Sequence, residues 1–229
     1  FANIANMDGH IIGLLKERGI EYSFIEYDYK MCKHRNPVLY EFAEGEKCDY
    51  ANTPLGLAIK DFMLSAKSVF FMSDKQQQIY HEHFPELENH NTHVLSSLFN
   101  DRSLEFIQRL SEKEYDRDKW LVLNSNSWVK GVNASETWCK ENNLDYELVG
   151  GLNYIDFLKR LRRAKGVCFM PDGLDTCPRF VIEAKLLGCE LQLNDNVQHV
   201  DEEWFSKDNG ETINYLRSRK DYFWQKAFN

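Results

Sequence analysis

The stretch Gly166-Val167-Cys168-Phe169-Met170-Pro171-Asp172-Gly173-Leu174-Asp175-Thr176-Cys177-Pro178-Arg179-Phe180-Val181-Ile182-Glu183-Ala184 decides how the chain reads. Its first five residues predict a strand that ends at Met170-Pro171. A polar loop follows, and Pro178 suits the first turn of a helix, where its missing N–H costs nothing. That helix runs to Leu187 and Gly188 stops it. Strand, loop and helix in this order form half of a parallel βαβ unit. In an open parallel sheet, ligands bind beyond the carboxyl ends of the strands. The helix start there offers free N–H groups and partial positive charge to an anion.

The same alternation continues on both sides. Upstream, Lys119–Leu123 reads as a strand, 132–142 as a helix, Asp145–Val149 as a strand and Tyr154–Arg163 as an amphipathic helix. Downstream, Leu191–Leu193 reads as a strand and 209–227 as a helix. In the first half, a helix is expected over Gly9–Arg18 with Gly19 as its cap. Strands are expected at Tyr22–Tyr27, Ser68–Met72 and His93–Leu95, and helices at Ile59–Ala66 and from Ser73 or Asp74 to Phe84. Residues 30–58 read as a long irregular loop with short helices. Short connections between strands and helices imply parallel sheets covered on both faces. The charged stretch 100–118 suggests a boundary, giving an abbreviated N-terminal α/β domain over 1–105 and a C-terminal Rossmann-like domain over 106–229.

Composition narrows the class. The chain has 229 residues, 43% hydrophobic and 14% aromatic, enough for a core and unlike a disordered chain. The net charge of −8 argues against binding a phosphate backbone, so no nucleic-acid partner is expected. No apolar run approaches the roughly 18 residues of a membrane span. The opening Phe1-Ala2-Asn3-Ile4 lacks a basic region before an apolar one, so no signal peptide is expected. Six cysteines without CxxC spacing fit a reducing cytoplasm.

Three strand-end elements carry candidate chemistry. Asp175 and Glu183 stand eight apart, one at the helix entry and one two turns in. Both can face one crevice and accept hydrogen bonds from sugar hydroxyls; the ordinary reading is a helix cap and a solvated acid. Asn124-Ser125-Asn126-Ser127-Trp128-Val129-Lys130-Gly131 follows a strand, and Lys130 suits a diphosphate as a point charge. Its ordinary reading is a surface lysine. Gly150-Gly151-Leu152 lets a ligand approach the backbone closely, or is simply a tight turn.

As a series over residues 119–200, these elements resemble the nucleotide-sugar-binding domain of GT-B-fold glycosyltransferases of the group 1, E-x7-E type. The resemblance implies two Rossmann-like parallel-sheet domains, with the first shortened. It implies transfer of a sugar from a nucleotide-diphosphate donor to an unidentified glycan, lipid or protein acceptor, with retention and without a metal or other cofactor. Lys130 matches the lysine that contacts the diphosphate. Asp175 takes the place of the first glutamate, facing the donor sugar, and Glu183 that of the second, which binds ribose hydroxyls. Thr176, Cys177, Arg179, Phe180 and Val181 fall where the family meets sugar and phosphate. Gly151 and Leu152 fall where main chain meets the base. Residues 20–100 are similar to the later part of the family's N-terminal domain, through Tyr22–Tyr29 and Ala66–Lys75.

The departures are specific. Ser125 stands where the family often has arginine, Asp175 is shorter than glutamate and Pro178 replaces a usual glycine. Tyr27 falls near the position of a catalytic histidine. The first βα units of the acceptor side are missing, and the chain begins without Met, so a minimal family member and a piece of a longer protein are both expected readings. The alternative function is a nucleotide-sugar-binding module without activity. A generic doubly wound domain, such as a response regulator, would need an acid cluster at the first strand end, which is absent. A truncated first domain would leave an apolar surface that a second copy of the chain could cover.

Other clusters carry less. His81, His83, His90 and His93, or Cys32, His34 and Cys48, have spacings that suit zinc but read more simply as surface and loop residues. Cys177 at a helix start is expected to have a lowered thiol pKa. Trp204, Phe205, Tyr222, Phe223 and Trp224 read as packing residues.

Overall fold

The computed structural model describes Phe1 and residues 10–228. Gly9 of the expected first helix, and Ala2–Ile4 of the opening, lie outside the described residues. The chain divides into two compact units: residues 1–96 with 219–229, and residues 97–218.

The first unit contains α1 (His10–Glu17), β1 (Ser23–Glu26), α2 (Pro37–Glu44), α3 (Pro54–Leu64), β2 (Ser68–Phe71), α4 (Asp74–His83) and β3 (Thr92–Val94). The strands form a parallel sheet in the order β1-β2-β3. Capping explains the helix boundaries. Asn36 accepts from the Val38 N–H and Thr53 from the Gly56 N–H, each followed by proline at the first helical position. The Thr53-Pro54 signal therefore starts α3 five residues before the expected Ile59. Phe24, Phe62, Phe70 and Phe71 are fully buried in this unit. A buried polar group sits at the end of β1: Glu26 pairs with Lys30 at 2.7 Å and accepts from the Tyr80 hydroxyl at 3.0 Å. Burial pushes the Glu26 carboxyl up to about 7. Tyr27, the next residue, has an exposed side chain.

The second unit contains α5 (Asp101–Ser111), β4 (Trp120–Leu123), α6 (Val132–Glu141), β5 (Tyr146–Val149), α7 (Tyr154–Arg163), β6 (Gly166–Phe169), α8 (Arg179–Leu186), β7 (Glu190–Leu193) and α9 (Glu203–Ser206). The last helix, α10 (Asn209–Phe228), is shared, its residues to 218 grouping with this unit and the rest with the first. The four strands are parallel, in the order β5-β4-β6-β7. The chain steps outward from β4 to β5, then returns past β4 to β6. The sheet therefore reverses its winding between β4 and β6, and the loops leaving those two strands stand where open parallel sheets bind their ligands.

Two features differ from the sequence reading. The charged stretch 100–118 contains a helix: Leu104, Ile107 and Leu110 of α5 form a buried stripe, and the charges lie on its other faces. The helix packs on α7 and α8, within the unit that spans residues 97–218. Trp204 and Phe205 are buried as expected, but Trp224 is 53% exposed and stacks on Phe228. Among the described residues, no helix is long and apolar enough to cross a membrane.

Candidate functional site

The loops beyond β4 and β6 meet by close backbone approach. After β4, the Ser125 hydroxyl accepts from the Ser127 N–H at 3.1 Å, and a single 3-10 turn, Trp128–Lys130, leads into Gly131. Gly131 has φ +56°, and a Cβ there would lie 1.8 Å from the Met170 carbonyl oxygen. Only glycine lets this turn rest on the end of β6. Ser135 fastens it: its hydroxyl donates to the Gly131 carbonyl at 2.9 Å and accepts from the Met170 N–H at 3.0 Å. Ser135 is fully buried.

The loop after β6 is held from its other side. Asn194 and Asn196 both donate to the Pro171 carbonyl, at 3.0 and 2.8 Å. The Asp175 main chain bridges to residues 196–198, donating to Asn196 O and accepting from Gln198 N. These bonds fix the Asp175 backbone and leave its carboxylate to face the turn after β4. Lys130 Nζ lies 2.6 Å from Asp175 Oδ2, with the side chains 31% and 11% exposed. Asp175 is therefore an ion-pair partner and not the helix cap of the ordinary reading; the cap position belongs to Pro178, and α8 begins at Arg179.

Glu183 forms a second polar group. It is buried on α8, and its Oε1 accepts from the Tyr154 hydroxyl at 2.8 Å and from Arg179 Nη2 at 3.3 Å. Burial raises its pKa, while the Tyr154 hydrogen bond and the Arg179 charge oppose that rise. The Arg179 guanidinium stands 4.3 Å from the Phe99 ring centroid.

The other expected site residues are placed as follows. Thr176 and Cys177 are buried. Ser97 donates to the Cys177 carbonyl at 3.0 Å and reaches its sulfur at 3.4 Å. Burial pushes the Cys177 thiol up to about 12, the reverse of the expected lowering. The helix starts two residues later, so its positive end does not outweigh desolvation. Phe180 and Val181 are core side chains, Phe180 packing edge-on against Phe169 at 5.2 Å. The start of α8 offers a ligand main-chain N–H groups rather than these side chains. Gly150 lies tight against Asn124, a Cβ there meeting Asn124 O at 3.0 Å, whereas Gly151 has φ +70° and open space around it. The Leu152 side chain is exposed.

The structure thus joins Lys130 to Asp175 and Arg179 to Glu183, and no hydrogen bond among the described residues links the two groups. Among the described residues, no hydrogen bond joins Ser125, Gly151 or Leu152 to either group. Sequence reasoning missed Tyr154, Ser135 and Phe99. Tyr154 lies 29 residues from Glu183, and only the packing of α7 on α8 brings them together. His199, after β7, was also missed. It is fully buried between Trp204 and Phe205, with neither ring nitrogen hydrogen-bonded. Among the described residues, no group of three or more His, Cys, Asp or Glu side chains is disposed to hold a metal ion.

No family model matches the chain. No curated protein matches it either. Among solved structures, it is similar to a UDP-forming α,α-trehalose-phosphate synthase from Burkholderia xenovorans, with a TM-score of 0.54 and 9% identity. The match covers 96% of this chain and 65% of that one, so the chain spans somewhat less than two thirds of its structural relative. UGT2 of Phytolacca americana, solved with UDP-2-fluoroglucose and pterostilbene, also matches at TM-score 0.32 and 11% identity, covering 93% of this chain and 68% of that one. The similarity to the synthase and the two parallel sheets give the chain a GT-B-like fold of Rossmann-type units.

Proposed function

We propose that the second unit binds a nucleotide-diphosphate sugar and that the chain is a retaining, metal-independent glycosyltransferase. The observation that supports this reading is the meeting of Lys130 and Asp175, 2.6 Å apart, where the loops after β4 and β6 face each other across the reversal of the sheet. A strand-end crevice with a lysine, a helix start and a buried carboxylate suits a ligand that is anionic in the middle and hydroxylated at both ends.

The physical task in glycosyl transfer is to stabilise the departing diphosphate as it gains negative charge. Lys130 supplies a point charge, and the N–H groups at the start of α8 supply oriented dipoles. In the free chain Asp175 neutralises Lys130; a bound diphosphate would draw the ammonium toward itself and leave Asp175 to accept from the donor sugar. Glu183 accepts from the ribose. Six free cysteines fit the reducing cytoplasm as the compartment of this reaction.

The test is calorimetric titration with UDP, GDP and ADP, then with the matching sugar nucleotides, for the wild type and Glu183→Ala. UDP comes first because the synthase with the similar fold is UDP-forming. Micromolar binding of one nucleotide, weakened at least tenfold by Glu183→Ala, supports the donor site. Slow hydrolysis or transfer of the sugar then separates an enzyme from a binding module. No binding at millimolar nucleotide refutes the proposal.

A further inference from the structure

The two oxygens of Glu183 are not equivalent, and this bears on which nucleotide the site accepts, given the reading of Glu183 as the residue that faces the ribose. A carboxylate has two acceptor oxygens, and a ribose presents two vicinal hydroxyls, so a bare carboxylate can take both. Glu183 is not bare. Both of its hydrogen-bond donors, the Tyr154 hydroxyl at 2.8 Å and Arg179 Nη2 at 3.3 Å, converge on Oε1. Among the described residues no donor reaches Oε2. The Glu183 side chain keeps 4% exposure, and Oε2 is not among the fully buried side-chain atoms that lack partners.

Tyr154 is itself held in place. Arg179 Nη2 also lies 3.3 Å from the phenol oxygen, and its guanidinium stands 5.7 Å from the Tyr154 ring centroid. Burial, followed by the charge of Glu183, pushes the phenol up to about 12, so it keeps its proton at neutral pH and remains a donor.

We propose that Tyr154 is a specificity-determining residue whose hydroxyl takes the place of one ribose hydroxyl at Glu183 Oε1, so that Glu183 reads a single hydroxyl of the nucleotide through Oε2. The site then discriminates strongly at one ribose position and weakly at the other. A deoxynucleotide lacking the unread hydroxyl binds almost as well as the ribonucleotide.

The experiment is calorimetric titration of UDP, 2′-deoxy-UDP and 3′-deoxy-UDP into the wild type and Tyr154→Phe, with the GDP or ADP series used if the donor titration selects that base. In the wild type, one deoxy analogue is expected within twofold of the parent and the other about tenfold weaker, the size of one hydrogen bond to a charged group. In Tyr154→Phe, which keeps the ring beside Arg179, the tolerated analogue is expected to fall severalfold behind the parent because Oε1 then keeps only its longer bond from Arg179 and has an acceptor position free for the second ribose hydroxyl. Equal losses for both analogues in the wild type, or no loss for either, overturn the proposal, and so does an unchanged pattern in Tyr154→Phe. The wild-type ratios decide it even if the variant fails to fold. Failure of the donor reading looks different: none of the three nucleotides binds the wild type, or binding is indifferent to Glu183→Ala.

Discussion

Gly131→Ala tests whether the turn after β4 is set by close approach. Gly131 and Gly151 both have positive φ, +56° and +70°. An alanine at either position costs about 1–2 kcal/mol for the left-handed backbone. Both substitutions also remove the same conformational entropy from the unfolded chain, which cancels between them. The sites differ in space. At Gly131 a Cβ meets the Met170 carbonyl oxygen at 1.8 Å and Pro171 Cα at 2.8 Å, both main-chain atoms, while at Gly151 nothing lies within 4 Å. The turn or the end of β6 must therefore move for Gly131→Ala, an overpacking cost of about 1–3 kcal/mol. Gly131→Ala should be less stable than Gly151→Ala by that amount, a large share of a typical total of about 5–15 kcal/mol. Urea denaturation followed by tryptophan fluorescence reads it, since Trp120 and Trp138 pack at 5.6 Å in this unit. Displacing the turn also moves Lys130 away from Asp175, so nucleotide-diphosphate affinity should fall with stability. Equal midpoints and slopes for the two variants would refute the steric argument.

Two further predictions follow from the same unit. Lys130→Met should weaken UDP about tenfold or more and leave uridine unchanged, because under the proposed function the lysine would meet only the diphosphate; parallel titrations check this, and equal losses for both ligands would show that Lys130 acts through the fold. His199 should make the unit acid-sensitive. Burial depresses its pKa to about 3, against the ordinary 6.5. The ring must be neutral in the folded state, so no penalty exists above pH 6.5 and it grows as pH falls toward 3. Between pH 7 and 4.5 the loss amounts to about 2–3 kcal/mol, and His199→Leu should flatten that slope in denaturation measured at the two pH values. An unchanged slope in the leucine variant would place the acid sensitivity elsewhere.

Much of the chain was legible in sequence because the signals are local. The apolar runs at Ser68–Met72 and Gly166–Met170 gave strands, and Gly19 and Gly188 marked helix ends with φ +59° and +74°. α5 escaped because its three buried residues are spaced among charges, and composition outweighed periodicity in reading that stretch. At the site, the lysine turn and the acid pair were visible as motifs at strand ends. Their partners were not. The Cys177 thiol departs from its expected lowering because the field of a helix start is readable from position, while desolvation depends on what packs over the sulfur.

The sequence by itself determined the alternation of strands and helices, the parallel sense of the sheets and the loops that carry polar residues, since periodicity, caps and glycines act over a few residues. Only the tertiary structure decided that β4 lies beside β6, that Lys130 therefore faces Asp175, and that Tyr154 occupies one oxygen of Glu183. Those pairings join residues 45 and 29 positions apart. They depend on strand order and on how α7 packs against α8, which are settled by burial of the whole core rather than by any local preference.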